Sequence, residues 1–545
     1  MLSNCSKIIH YKQSLIEIYF ELVRYKNKSD YFILFDRISN LLKMLKTDID
    51  INKNECQSES EHQSIKNTPL YYLTLLYKLI AQTRDFQHGK GERTITYVMI
   101  YAWYAHYPLF SIFALKKMVY YGCWKDLNYF CEYIYDATQN QDHPLICESI
   151  AYINKQLHKD MNTSNISYVA KWIPRENSKF GWIFNKLVCN WFNLNDISTF
   201  DSSYYYGEYR KIIANLNRKL MTIEIDMCSN NWQNIEFQTL FKYQNVLLNV
   251  NRKNDIRPKF HNSVDRNICS KRFKKNIDFY LQGINVDHVF NAHYEVGFYV
   301  KEAFAILDNS NIFNIDVTNM KMGVLNKKWQ SIISNVKNVY YGYSIPMVDV
   351  SSHMSDGNSM ALFNAIGFAC LIAEKSLIGK RILLMDYEPK WVILDSSLDF
   401  MSMISLIRAS YMGNMTFDFE SSMKMIMDTM CNSQISNNTI SKIKIILFSN
   451  LFSENDRIQK YNIFETFSEL KEYPQLIYWN LSDKILVDRE YPCKYDNKSC
   501  MLSGTQVHNM NVLELKYLYA FDTVEYILTN PNYNCMSEYI LGILH

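Results

Sequence analysis

The sequence predicts a multidomain protein: an α-helical first half, either a solenoid or an irregular bundle, followed by an α/β domain built on a mostly parallel sheet. Three observations predict it. The chain has 545 residues, more than one core comfortably serves. In the first half, several stretches show apolar residues recurring at helical spacing, many of them joined by short turns. Beyond about residue 340, short β-branched runs alternate with helical stretches, which is the pattern of strands covered by helices on both faces.

In chain order, Leu15, Ile18, Tyr19, Leu22 and Val23 mark an amphipathic helix, with another following to about Leu45. Residues 46–67, KTDIDINKNECQSESEHQSIKN, are polar and aperiodic and read as a surface linker. Helices are expected over 69–83, 92–106, 109–121, 125–134 and 205–222, the last with Arg210, Lys211, Arg218 and Lys219 on its outer face. KNVYYGYS then leads into the first strand, SIPMVDV. RILLMD, KWVIL, KIKIILFS and PQLIYWN read as further strands, and 358–375, 399–409, 417–430 and 511–529 as helices. The expected division is 1–67 for N-terminal helices and linker, 68–340 for a helical domain and 341–545 for the α/β domain.

Composition narrows the function classes. Nearly half of the residues are hydrophobic and the formal net charge is +3, so an anionic partner would need a local patch rather than a global field. Thirteen cysteines occur without a CxxC pair and read as reduced thiols of an intracellular, cytoplasmic protein. The most membrane-like window, ITYVMIYAWYAHYPLFSIFAL, carries His106 and Pro108 near its middle. Two buried helices meeting at Tyr107-Pro108 explain it, and no membrane partner is expected. There is no GxSxG turn, no HExxH pair and no zinc spacing, so the sequence offers nothing to catalysis.

The polar turn VDVSSHMSDGNS, 348–359, sits between a strand and a long apolar helix. Ligand sites of open α/β sheets lie at the carboxyl ends of the strands, where this turn falls. Its residues resemble the DxSxS turn of von Willebrand factor A domains. That resemblance implies a doubly wound fold and a divalent cation held by oxygen ligands, with Asp349, Ser351 and Thr416 as metal residues. His353 stands where the family has serine, and Asn450 where it has aspartate. An imidazole suits Mg²⁺ poorly and a lost carboxylate lowers affinity, so the implied cofactor is weakly bound Mg²⁺ or none. Otherwise Asp349 and Ser351, or Asp356 and Asn358, cap the following helix.

LYKLIAQTRDFQHGKGERTITY, YYGCWKDL, AKWIPRENS, YRKIIANLNRKL and YPQLIYWNLS together resemble the DUF2828 family of plants and large DNA viruses. The order of domains is similar to that of TROVE proteins related to the Ro ribonucleoprotein, whose helical repeats bind RNA; this is an analogy of architecture. In RDFQHGKGER, either Arg84, Lys90 and Arg93 bind phosphate, or Arg84, Asp85, Glu92 and Arg93 form an ion-pair network between helices. Trp124 is expected to pack in a helix junction, with Lys125 and Asp126 solvated beside it. Trp172 is expected to pack likewise, Lys171 and Arg175 lying outside.

The strongest nucleic-acid candidate is the basic segment 252–276. Arg252, Lys253, Arg257, Lys259, Arg266, Lys271, Arg272, Lys274 and Lys275 supply charge, and Phe260, Phe273 and Tyr280 could stack on bases. A solvated face is the other reading of such a run. The expectation is therefore a non-enzymatic scaffold that binds single-stranded or structured RNA. The alternative is a protein-interaction or virion component whose A-type domain holds a protein partner.

Overall fold

The computed structural model describes residues 4–55, 66–194, 202–220, 229–230, 232, 243–250, 263–282, 296–308, 315–335, 341–355, 359–413, 417–433, 435–450, 472–481, 499–515 and 519–544. The chain forms two compact units, residues 1–221 with 524–545, and residues 222–523.

The first unit is helical. It contains α1 (Asn4–Glu21), α2 (Lys28–Glu55), α3 (Pro69–Arg84), α4 (Thr94–His106), α5 (Pro108–Tyr121), α6 (Lys125–Thr138), α7 (Pro144–Met161), α8 (Gly181–Phe192) and α9 (Ser202–Lys219). Prolines open α3, α5 and α7, where a missing N–H costs nothing. The apolar window at 95–115 does break at Tyr107-Pro108. Trp103 and Phe110 from the two sides meet Tyr77 of α3, with ring centroids 4.7 and 5.8 Å away. No described helix is long and apolar enough to cross a membrane.

Residues 46–55, expected in the linker, instead extend α2. Leu45 and Ile49 are buried and Asp48 pairs with Lys7 at 2.6 Å, so the helical period continues beneath the polar composition. The rest of the expected linker lies mostly outside the described residues.

The second unit contains, after a short helical turn at Gln244–Leu247, α10 (Val264–Leu281), α11 (Val296–Asp308) and α12 (Ile315–Asn335). These precede a six-stranded sheet of β1 (Ser344–Asp349), β2 (Arg381–Met385), β3 (Lys390–Ile393), β4 (Lys444–Ser449), β5 (Gln475–Asn480) and β6 (Cys500–Ser503). The order is β3-β2-β1-β4-β5-β6. Every pairing is parallel except the edge pair β2–β3. β1 and β4 are buried along their whole length, as a sheet covered on both faces requires. The helices α13 (Met360–Lys375), α14 (Phe400–Arg408) and α15 (Phe419–Asn432) complete the second unit's layers; α16 (Ala520–Leu528) spans the boundary, and α17 (Asn534–Leu544) belongs to the first unit.

Two differences from the expected elements have local causes. β6, CMLS, was not anticipated, because four residues without a β-branched side chain carry little strand signal. The expected helix 511–529 is in part a 3₁₀ run, Val507–Glu514, with α16 starting only at Ala520. The Leu513 and Leu515 carbonyls accept from the buried Lys444 Nζ at 2.6 and 2.5 Å instead of continuing a helical ladder.

α11 crosses α13 closely. A Cβ on Gly367 would overlap Val296, and one on Gly297 would overlap Asn364. The Gly297 amide donates to Asn364 Oδ1 at 2.9 Å within this buried crossing.

Candidate functional site

The strand order reverses on either side of β1 and β4, so the switch point, where open α/β sheets hold ligands, lies between their carboxyl ends. Asp349 ends β1 and Ser449 ends β4, both fully buried. Ser449 Oγ donates to Asp349 Oδ2 at 2.7 Å, while the Ser351 amide donates to Oδ1 at 2.9 Å. Burial pushes the Asp349 carboxyl above its usual range, against the opposing effect of these hydrogen bonds. Asn450 Oδ1 is buried with no hydrogen-bond partner among the described residues.

Asp349 and Ser351 do not cap α13. Its N-cap position is Ser359, with φ +57° and no side-chain cap bond, and Asp349 is already committed across the switch point. Asp356 and Asn358 lie outside the described residues, as does Thr416. His353 is exposed, and its carbonyl accepts from Asn450 Nδ2 at 2.7 Å. Asp418, close to Thr416 in sequence, caps α15 by accepting from the Ser421 amide at 2.9 Å.

A second carboxylate at this rim escaped the sequence reading. Asp386 follows β2 and holds the adjoining loops, accepting from the Tyr387 amide at 2.8 Å and from the Met412 and Gly413 amides at 2.9 and 3.3 Å. The Asp of RILLMD was the available signal, since it directly follows β2 (Arg381–Met385) much as Asp349 closes β1. The residues that resemble a metal turn are thus brought together only in part. Asp349, Ser351 and Asn450 lie near the carboxyl ends of β1 and β4, but both carboxylate oxygens of Asp349 already accept internal hydrogen bonds, and both of Asp386 accept from backbone amides. Among the described residues this donor set does not fit Mg²⁺, which needs carboxylate oxygens free to join an octahedral array. No group of three or more His, Cys, Asp or Glu gathers among the described residues.

The second candidate is α10. Its buried side carries Ser270 and Phe273, with Cys269 and Ile277 partly buried. Phe273 joins Trp232, Leu247, Leu248 and Val250 in a small core, and Ser270 Oγ donates to the Leu248 carbonyl at 2.9 Å. Phe273 therefore anchors the helix and cannot stack on a base. The anchoring turns Lys271, Arg272, Lys274 and Lys275 outward, all exposed. At about 100° per residue they spread over roughly 160° of the opposite face. None has an acidic partner among the described residues, and Lys275 lies over the Phe279 ring at 5.5 Å. Asp278 interrupts the face near its end, and Val264 and Ile268 expose apolar surface within it. Arg252, Lys253, Arg257, Lys259 and Phe260 lie outside the described residues.

In the helical unit the ion-pair reading of RDFQHGKGER holds with different partners. Arg84 and Arg93 both converge on Asp126, at 2.6 and 2.7 Å, and Glu92 pairs with Arg24 at 3.2 Å. Asp126, expected to be solvated, is fully buried, because it neutralises two guanidinium groups and accepts from the Cys123 amide at 3.0 Å. Lys90 is buried too, donating to the Tyr19 carbonyl with its ammonium 3.8 Å from the ring centroid. Its burial, which also lowers its pKa, and its contacts with Tyr19 leave it out of reach of a phosphate in solvent. Trp124 is half-buried and stacks on Tyr152 at 5.4 Å, and Lys171 and Arg175 are exposed.

A family model described as "Domain of unknown function (DUF7788)" matches residues 343–522, the stretch from β1 to the start of α16. An uncharacterized protein of Acanthamoeba polyphaga mimivirus is 22% identical over 455 residues, 78% of this chain and 74% of its own length. The chain thus has a relative in a large DNA virus. That alignment is too long for the α/β half alone to supply, so the likeness extends into the helices.

Proposed function

We propose that the chain is a non-catalytic RNA-binding scaffold in which a DUF2828-like helical region accompanies a von Willebrand factor A-like domain whose metal site has degenerated. The observation that carries the reading is the outward cationic face of α10: four charges without acidic partners among the described residues, held in place by the buried Phe273. Such a face meets a phosphate backbone by releasing its counterions, and it carries no base specificity. The A-domain likeness is supported by the strand order, the antiparallel edge strand and the placement of DVSS at the switch point.

The test is an electrophoretic shift titration with single-stranded RNA at several salt concentrations. Replacing Lys271, Arg272, Lys274 and Lys275 by Gln should weaken binding and flatten its salt dependence, because four backbone contacts contribute a slope of about −3 in log K against log salt. Absence of binding by the unaltered chain at low salt would remove this function.

A second reading has its own observation. Asn450 Oδ1, unpartnered at the end of β4 among the described residues, could receive a polar group from a protein partner without a metal, as a host or virion protein would supply. It predicts that Asn450→Ala loses a captured partner while leaving RNA affinity intact.

A further inference from the structure

We infer that the pocket formed in the helical unit by the loop after α3, the end of α5 and the turn before α17 is a subsite for one unstacked nucleobase. The inference rests on the RNA-binding reading and adds the part of the ligand that phosphate contacts do not read. The cavity measures about 190 Å³, below the ~300–1,000 Å³ of pockets that enclose a drug-sized ligand. That space suits a single planar ring system rather than a whole nucleotide.

Its floor is rigid. Asp85 Oδ1 accepts from the Gln87 and His88 amides at 2.8 and 3.1 Å, and Oδ2 accepts from the Tyr533 hydroxyl at 3.2 Å. The tight return of the loop depends on Gly89, where a Cβ would overlap the Gln82 carbonyl, and on Gly91 at φ +70°. Tyr121 forms a fixed wall, because its hydroxyl donates to the Asn532 carbonyl at 2.7 Å. Tyr120 beside it is 74% exposed, with its ring nearly perpendicular to that of Tyr121 at 82° and 5.2 Å. It offers a free aromatic face at the rim.

The polar lining selects the ligand class. Asp85 brings the one formal negative charge among the lining side chains, so a phosphate entering the pocket would be repelled. Gln87 and Asn532 each present an amide that donates and accepts, and Asn532 Nδ2 lies 3.3 Å from His88 Nδ1. Mixed donors and acceptors beside an exposed aromatic ring match the edge and face of a neutral base.

The test uses the full chain with two probes of equal length and charge, a single-stranded oligoribonucleotide and its abasic counterpart, together with free adenosine and uridine followed by saturation-transfer NMR. Tyr120→Ala should weaken the base-bearing oligomer about 5- to 100-fold, Tyr120→Phe should not, and affinity for the abasic oligomer should stay unchanged. Equal losses for both oligomers, or none, would overturn the subsite. If the unaltered chain binds neither oligomer, the RNA reading fails on its own. The nucleosides then decide: a transfer signal that Tyr120→Ala erases sustains the pocket, and no signal refutes it.

Discussion

Asp126 shows what a single residue can hold in place. It is fully buried between Arg84 and Arg93, and a Cβ on the neighbouring Gly122 would overlap both its carboxylate and the Arg84 guanidinium. Asp126→Ala should cost about 3–5 kcal/mol by leaving guanidinium charge buried without its counterion, read as a lower urea midpoint for helical signal. A change below 1 kcal/mol would mean that the two arginines find water. Asp349 poses the opposite case. Its carboxyl is raised above 3.8 chiefly by burial, so the folded chain keeps a proton that the unfolded chain releases. Its stabilising contribution is complete below pH 3.8 and is lost as pH rises through the folded value. Asp349→Asn should therefore flatten the acid side of the stability profile and leave the midpoint at pH 7 equal or higher. A clear loss at pH 7 would show that the charged carboxylate is needed. Calorimetric titration of the unaltered chain with Mg²⁺ should give no binding heat; tight binding would contradict the fit drawn from these donors. The turn at Asp349 was legible because strand-end polar residues stand out between two apolar runs. Asp126 was not, since its partner Arg84 lies 42 positions away and the local sequence offers only Lys125.

Among the elements, the crossing of α11 and α13 is the most sharply constrained. Gly367→Ala would drive a methyl group into Val296 and should cost about 1–3 kcal/mol, measurable by thermal unfolding, with Val296→Ala restoring part of the loss. An additive double variant would show that the two helices do not meet there. The strands β1 to β5 could be read from short runs with apolar centres, and α13 from its length. β6 and the 3₁₀ run could not, because their form depends on pairing with β5 and on the reach of Lys444 Nζ to two carbonyls, neither visible to a local window. α10 was legible as a basic stretch, but its facing was not. Phe273 resembles a stacking platform in sequence and becomes an anchor only once Trp232 and Leu248 pack against it.

At the scale of the whole molecule, the chain joins a helical unit to a six-stranded α/β unit, and its charge is nearly balanced at +3. Long-range attraction therefore contributes little, and any hold on RNA must come from local faces such as α10. The change from helical to alternating pattern near residue 340 revealed the two architectures. Which helices pack with which unit depends on tertiary contacts that periodicity does not encode. The measurement that bears most directly on the RNA reading is the salt dependence of single-stranded RNA binding by the full chain and by the variant with Gln at 271, 272, 274 and 275. The expected result is binding at low salt whose log–log slope becomes shallower by about 3 in the variant. Binding that is absent, or that keeps the same slope in both proteins, would contradict it.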